Sequence, residues 1–276
     1  MWIIGTAMRV LFATVRREWL VFLRYPMNAV MRLVEPVMWL APVYFLGMSF
    51  TSGGRLPGFE TTTGTSNFLS FVLLGGIVGS YISAVFWGLG FAVKQQMDEG
   101  TLEAVWLTPN SRLWLLVGRS LFGVLITGLN TVSVLTMAHF LFGFTAGGPL
   151  GPALLVLIPT VVALYGFGFA YAAIVLFARE ANFLTDVGSF LVQVLCGVNF
   201  PVTALPRALM VIGLALPVTY GIDLMRVLVL GTRPLVAVPI AVAILLASAA
   251  AFVLVGIRSF AAMERRVRAA GTAGMH

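Results

Sequence analysis

Apolar and polar positions divide the chain into long apolar runs joined by short polar segments. The runs lie near 33–50, 68–93, 113–142, 152–177, 182–199 and 235–257. A helix needs about 20 mainly apolar residues to cross the hydrocarbon core, so the pattern predicts six transmembrane helices. The residue-by-residue alternation of an outer-membrane barrel is absent from the sequence. Ahead of the first run, residues 5–24 carry Met8, Leu11, Phe12, Val15, Trp19, Leu20 and Leu23 at helical spacing, with Arg9, Arg16, Arg17 and Arg24 largely on other faces. That arrangement predicts an amphipathic helix lying in the membrane interface. Tyr25-Pro26 ends it, because the residue before a proline is pushed out of the helical region.

Residues 200–231 break the pattern. They remain apolar, yet Pro201, Pro206 and Pro217, with Arg207, Asp223 and Arg226, interrupt them too often for one continuous crossing. Broken helices persist at membrane depth only where protein covers them or where they line a cavity. The segment therefore predicts a re-entrant pair of short helices between the fifth and sixth spans. The expected fold is an all-α integral membrane protein forming a single domain over residues 1–276.

Composition agrees: 60% of the 276 residues are hydrophobic and only 10% are charged, against about a quarter charged in soluble domains. Residues 1–8 carry no basic region ahead of an apolar core, so a cleaved signal peptide is not expected. The net charge of +7 comes from arginines standing singly at the ends of apolar runs, a topology signal and not a nucleic-acid patch. With both termini inside, the cytoplasmic segments hold Arg9, Arg16, Arg17, Arg24, Arg32, Lys94, Arg112, Arg119, Arg179, Arg258, Arg265, Arg266 and Arg268, and the outer side keeps Arg55, Arg207, Arg226 and Arg233. The loop over 51–67, rich in Ser, Thr and Gly, is then the main extracellular loop.

Several chemistries are not expected. A phosphate-binding P-loop needs a lysine at the end of G-x-x-x-x-G-K-[ST], and the residues before Lys94, the one lysine of the chain, do not supply that loop. The chain is therefore not expected to hydrolyse ATP. His139 and His276 are too few for a zinc or catalytic site, and His139 is expected to hydrogen-bond between helices. Cys196, the single cysteine, lies inside an apolar run and is expected to be a small buried side chain.

The joint between the second and third spans, 94–112, is the most informative stretch. Gly100-Thr101-Leu102-Glu103 reads as a helix start, with Thr101 as cap and a carboxylate in the first turn. Glu99 precedes it, Trp106 follows Leu102 at i+4, and Pro109 ends the helix. This stretch, with Thr108-Pro109-x-Ser111, resembles the coupling region of the type-two ATP-binding-cassette exporter permeases, the daunorubicin-resistance and polysaccharide-export family. Phe200-Pro201, Leu205-Pro206, Pro217-x-Thr219, Arg226 and Gly231 are similar to that family's signature between its last two spans.

The resemblance implies a bacterial plasma-membrane permease that carries no cofactor of its own. It implies a dimer with an identical or related permease chain above two copies of a separate ATPase subunit, which holds the ATP and Mg. It further implies that Glu99, Gly100, Thr101, Leu102, Glu103, Trp106 and Pro109 couple to the ATPase, and that the segment of Pro201, Pro206, Pro217 and Arg226 forms part of an extracellular gate.

On the fifth span, Asp186, Ser189 and Gln193, with Gly197 less closely in phase, share one face. Polar groups inside a membrane face the bundle interior or a watery path, so this face either lines the translocation route or hydrogen-bonds neighbouring helices. Gly75-Gly76 and Gly79 suit close helix packing. Glu35 is expected near the interface, with Arg32 as partner. Apolar and aromatic residues such as Phe86, Trp87, Phe167 and Phe169 would suit an amphipathic, drug-like or lipidic cargo, with glycan export as the alternative. An ion-coupled secondary transporter would need buried carboxylates at the centres of several spans, and only Asp186 approaches that.

Overall fold

The computed structural model describes residues 2–49, 57–90, 112–144, 147–178 and 181–269. Among these residues all regular structure is helical. In chain order the helices are α1 (Trp2–Arg24), α2 (Pro26–Ser49), α3 (Pro57–Thr63), α4 (Phe68–Val85), α5 (Arg112–Phe142), α6 (Leu150–Ala178), α7 (Ala181–Leu195), α8 (Arg207–Ala215), α9 (Pro217–Leu230) and α10 (Val238–Ala269).

Among the described residues, four stretches are long and apolar enough to cross a membrane: Phe68–Leu89, Leu116–Phe142, Leu150–Val175 and Val238–Ala262. The pair α8 and α9, bent by 90°, adds a fifth if it is counted as one span. The other two expected crossings fall on α2 and α7. Over its 24 residues α2 dilutes its apolar run with Arg32, Glu35, Pro36 and Pro42. With only 15 residues, α7 reaches about 22 Å at 1.5 Å per residue, short of a core about 30 Å thick.

Glycines set where helices cross. A side chain on Gly166 of α6 would collide with the α10 backbone at Phe252 and Val253, and one on Gly256 of α10 would strike the Gly166 carbonyl. Two backbones thus touch, the geometry that small residues permit in membranes. Gly221 of α9 makes room for the Thr160 side chain of α6. The core gathers on α4, α6 and α9 around Leu73, Ile77, Val78, Ile82, Leu164, Ile222 and Met225. The Phe68–Leu89 stretch is 67% buried in protein, whereas Val238–Ala262 is only 22% buried, which leaves α10 to present most of its apolar surface outward.

Pro26 occupies the first position of α2, where its missing N–H costs nothing, and Tyr25 breaks the helix as the sequence predicts. Helix α1 leaves Met8, Phe12, Leu20 and Leu23 exposed. It docks on the base of α5 through Thr14 against Gly118, Trp19 edge-on to Phe122 at 6.4 Å, and Glu18 paired with Arg119 at 3.8 Å.

Two expectations need correction. Residues 57–63 of the expected loop form α3, whose Phe59 stacks edge-on against Phe68 and Phe71 at 5.3 and 5.0 Å. Among the described residues His139 bridges no second helix: its Nδ1 bonds the Phe144 carbonyl at 2.8 Å, closing the end of its own helix. The Arg32 side chain, the expected partner of Glu35, lies outside the described residues.

Candidate functional site

The site begins where α7 ends. Gly197 adopts φ +69°, a left-handed conformation that favours glycine. Its N–H bonds the Val194 carbonyl at 3.1 Å while the Val198 N–H reaches back to Gln193 at 3.1 Å, the paired arrangement that closes a helix with a glycine. This reversal leaves the Gly197 and Val198 carbonyls unused by the helix.

Arg226 of α9 takes both of them. Its Nη1 donates to the Gly197 carbonyl at 2.9 Å, Nη2 to Val198 at 2.7 Å and Nε to Phe71 of α4 at 3.1 Å. The guanidinium carbon sits 3.5 Å from the centre of the Phe71 ring. Only 5% of Arg226 is exposed, so the cation is held by carbonyl dipoles and an aromatic face instead of water. Gly75 makes the approach possible, since a Cβ there would collide with the Val198 carbonyl and Arg226 Nη2. Three separate segments, α4, the end of α7 and α9, are thereby joined at one side chain.

The prolines shape the segment between. Pro201 precedes a single 3-10 turn at Val202–Ala204, and Pro206 caps α8. Leu216 is extended at φ −88°, ψ 126° because Pro217 follows it, and that residue makes the bend between α8 and α9. Carbonyls at the bend accept side chains of α9: Thr219 Oγ1 donates to Gly213, which also takes the Leu216 N–H, at 2.5 Å, and the Tyr220 hydroxyl donates to Leu214 at 2.9 Å. At the far end Gly231 (φ +65°) closes α9, and Asp223 Oδ2 accepts the Leu235 N–H at 3.0 Å. Pro201, Pro206, Pro217 and Arg226 thus lie in one folded unit.

The polar residues of α7 are spread over more than one environment. Ser189 is buried and its Oγ donates to the Asp186 carbonyl at 3.1 Å. Gln193 is half-buried and its Nε2 donates to Ser83 Oγ of α4 at 3.3 Å, while the Asp186 side chain is exposed. Buried Thr185, absent from the sequence reading, shares a hydrogen bond of 3.1 Å with the Tyr171 hydroxyl of α6.

Helix α4 ends in a widened turn over Phe86–Gly90, with Phe86 packed on Tyr171 at 4.5 Å and on Phe167 at 5.9 Å between ring centres. Such turns recur at functional positions. It leads toward the expected coupling segment, where Glu99, Gly100, Thr101, Leu102, Glu103, Trp106 and Pro109 lie outside the described residues.

Helices that are apolar on several faces, joined by short turns and pinned by a buried arginine on backbone carbonyls, define a multi-pass membrane protein. The model of the ABC-2 type transporter family matches residues 9–230. The chain therefore belongs to the ABC-2 type transporter family and is an ATP-binding-cassette transporter permease, the membrane component of an exporter. A search of curated proteins finds no match to the chain.

Proposed function

We propose that this permease exports an amphipathic, drug-like or lipidic cargo across the bacterial plasma membrane, driven by ATP hydrolysed on two copies of a separate ATPase subunit. It works as a dimer with an identical or related permease chain. Helices α2, α4, α5, α6, α7 and α10 are its six crossings, both termini face the cytoplasm, and the bent pair α8–α9 is a re-entrant element of the external gate.

The Arg226 clamp carries the gating part of this reading. An ionisable group buried in an apolar segment is costly and is retained where it does work. Here its three bonds reach α4 and the end of α7, so α8–α9 cannot swing away without releasing them. The bend at Leu216 supplies a break about which such a swing can occur. Residues 94–112 pass to the ATPase: Leu102 and Trp106 offer an apolar face, Glu103 a charge, and the widened turn at Phe86–Gly90 joins that movement to α4. Asp186, Ser189 and Gln193 line the route between protomers. Exposed Asp186 and half-buried Gln193 support that assignment, whereas the Gln193–Ser83 bond fits packing equally.

The test is co-purification. A tagged permease co-expressed with a candidate P-loop ATPase subunit should retain that subunit. Trp106→Ala should lose most of it, because truncating a buried aromatic anchor costs about 2 kcal/mol or more. Glu103→Ala should lower coupling more mildly. Full retention by Trp106→Ala with unchanged export would remove the coupling role from this loop.

A further inference from the structure

Helix α1 carries more on its surface than its seat on α5 uses. Thr14 and Glu18, four residues apart, hold it to α5 at Gly118 and Arg119. At about 100° per residue, the outward side of the helix sorts into two bands. Met8, Phe12, Trp19 and Leu23 fall within about 60° of one another. All four are exposed, Phe12 by 72%, and Trp19 stays exposed although one edge of its ring meets Phe122. Arg9, Arg16, Arg24 and Arg17 occupy the adjoining band of about 100°, with Leu20 and Ala13 between them. The centres of both bands stand about 130° round the helix from Thr14 and Glu18, so neither faces the seat.

The arginines are uncompensated. Glu18 is the one carboxylate in residues 1–34, and it pairs with Arg119 at 3.8 Å. Arg9, Arg16, Arg17 and Arg24 are all exposed, and among the described residues none has a carboxylate partner. They form two pairs seven residues apart, so four guanidinium groups stand along about 22 Å of one flank. A guanidinium fork fits phosphate oxygens two at a time and keeps its charge. The apolar stripe beside this row needs cover as well. A soluble anion would match the arginines and leave Met8, Phe12 and Leu23 in water. A surface that is anionic at its face and hydrocarbon just beneath meets both bands at once.

We propose that this flank of α1 binds anionic phospholipid, with the arginines on headgroup phosphates and the apolar stripe among the upper acyl carbons. Zwitterionic phospholipid offers the same phosphate beside a fixed cation that repels guanidinium, so headgroups of net negative charge, such as phosphatidylglycerol, are preferred. Each basic residue at such a surface is worth about fivefold in binding. The inference rests on α1 alone, independently of the export, gating and ATPase readings.

The experiment uses the full-length chain in phosphatidylcholine proteoliposomes. A bimane fluorophore is attached to a cysteine replacing Phe12, in the Cys196→Ser background. Its quenching is compared at equal low mole fractions of phosphatidylglycerol and phosphatidylcholine, each brominated high on the acyl chains. The glycerol lipid should be enriched at the label at least about fivefold over its bulk fraction. Arg16→Gln with Arg17→Gln should lower the enrichment severalfold, whereas Arg16→Lys with Arg17→Lys, which keeps both charges, should retain most of it. Replacing all four arginines with glutamine should bring the two lipids level. Arg258→Gln, at an exposed position of α10, should behave like the parent. In about 1 M salt, where the screening length falls to about 3 Å, the parent should lose most of its preference. Because the four side chains are exposed and unpaired, the glutamine variants should melt within about 2 °C of the parent. Equal quenching by the two lipids in the parent would overturn the proposal and leave the arginines to an acidic protein surface. Enrichment that survives the fourfold variant would overturn it too, by placing the lipid preference elsewhere on the chain, as would a label that neither lipid quenches.

Discussion

Replacing Arg226 with leucine removes three hydrogen bonds from buried carbonyls and a cation from the face of Phe71. Hydrogen bonds inside membrane proteins average about 0.6 kcal/mol and reach about 1.7, and the cation–aromatic contact adds about 1–2 kcal/mol where water is excluded. Leucine recovers part of the loss through its own packing, so we expect a net destabilisation of about 3 kcal/mol. At about 2–4 °C per kcal/mol for a chain near this size, the melting temperature should fall by about 6–12 °C. Arg226→Lys keeps the charge but presents a point donor in place of a planar fork, and should lose about half as much. Tryptophan fluorescence during heating, with size-exclusion profiles of the heated samples, reads both variants. An Arg226→Leu protein melting within about 2 °C of the parent would refute the clamp, as would a lysine variant less stable than the leucine one.

Gly75→Ala should destabilise by about 1–3 kcal/mol through overpacking against Val198 and Arg226, whereas Gly76→Ala, with open space around it, should be neutral in the same melting assay. Single cysteines replacing Thr61 and Arg265, each in a Cys196→Ser background, should react with an impermeant maleimide from opposite sides of the membrane; reaction of both from outside would contradict the topology. Gln193→Leu should cost under about 1 kcal/mol, because only the Ser83 bond is lost, yet should change export rate or cargo preference. Unchanged transport of every cargo tried would leave Gln193 a packing residue.

Much of the helical plan was legible because lipid forces backbone groups to pair within each helix, so the apolar runs map onto elements almost directly. The expected runs at 113–142 and 152–177 match α5 and α6 to within a few residues. Pro201, Pro206 and Pro217 marked where α8 and α9 start and bend, since proline acts on its own neighbours. Arg226 stood out as an ionisable residue in an apolar segment, but its partners did not. They are backbone carbonyls of Phe71, Gly197 and Val198, and a carbonyl leaves no residue-specific trace in a sequence. Gly197 carried a readable hint as a glycine following a helical run, while Gly75 looked no different from Gly76 although only one of them touches the clamp. The alignment of Asp186, Ser189 and Gln193 came from helical phase, which could not reveal that α4 bonds Gln193 while Asp186 stays exposed. Helix α3 was missed because a short Gly- and Thr-rich stretch has low helix propensity, and its Phe59 packing on Phe68 and Phe71 stabilises it instead.

The claim that ATP hydrolysed on a partner subunit opens the segment pinned by Arg226 can be tested by one accessibility measurement. A cysteine replacing exposed Thr203, in the Cys196→Ser background, is placed in the turn between α7 and α8. Its labelling rate by an impermeant maleimide is followed in proteoliposomes containing the permease with or without the ATPase. The account predicts that ATP raises the rate severalfold with the ATPase present and leaves it unchanged with the permease alone. A rate indifferent to ATP in the assembled complex, or one that responds to ATP without the ATPase, would contradict it.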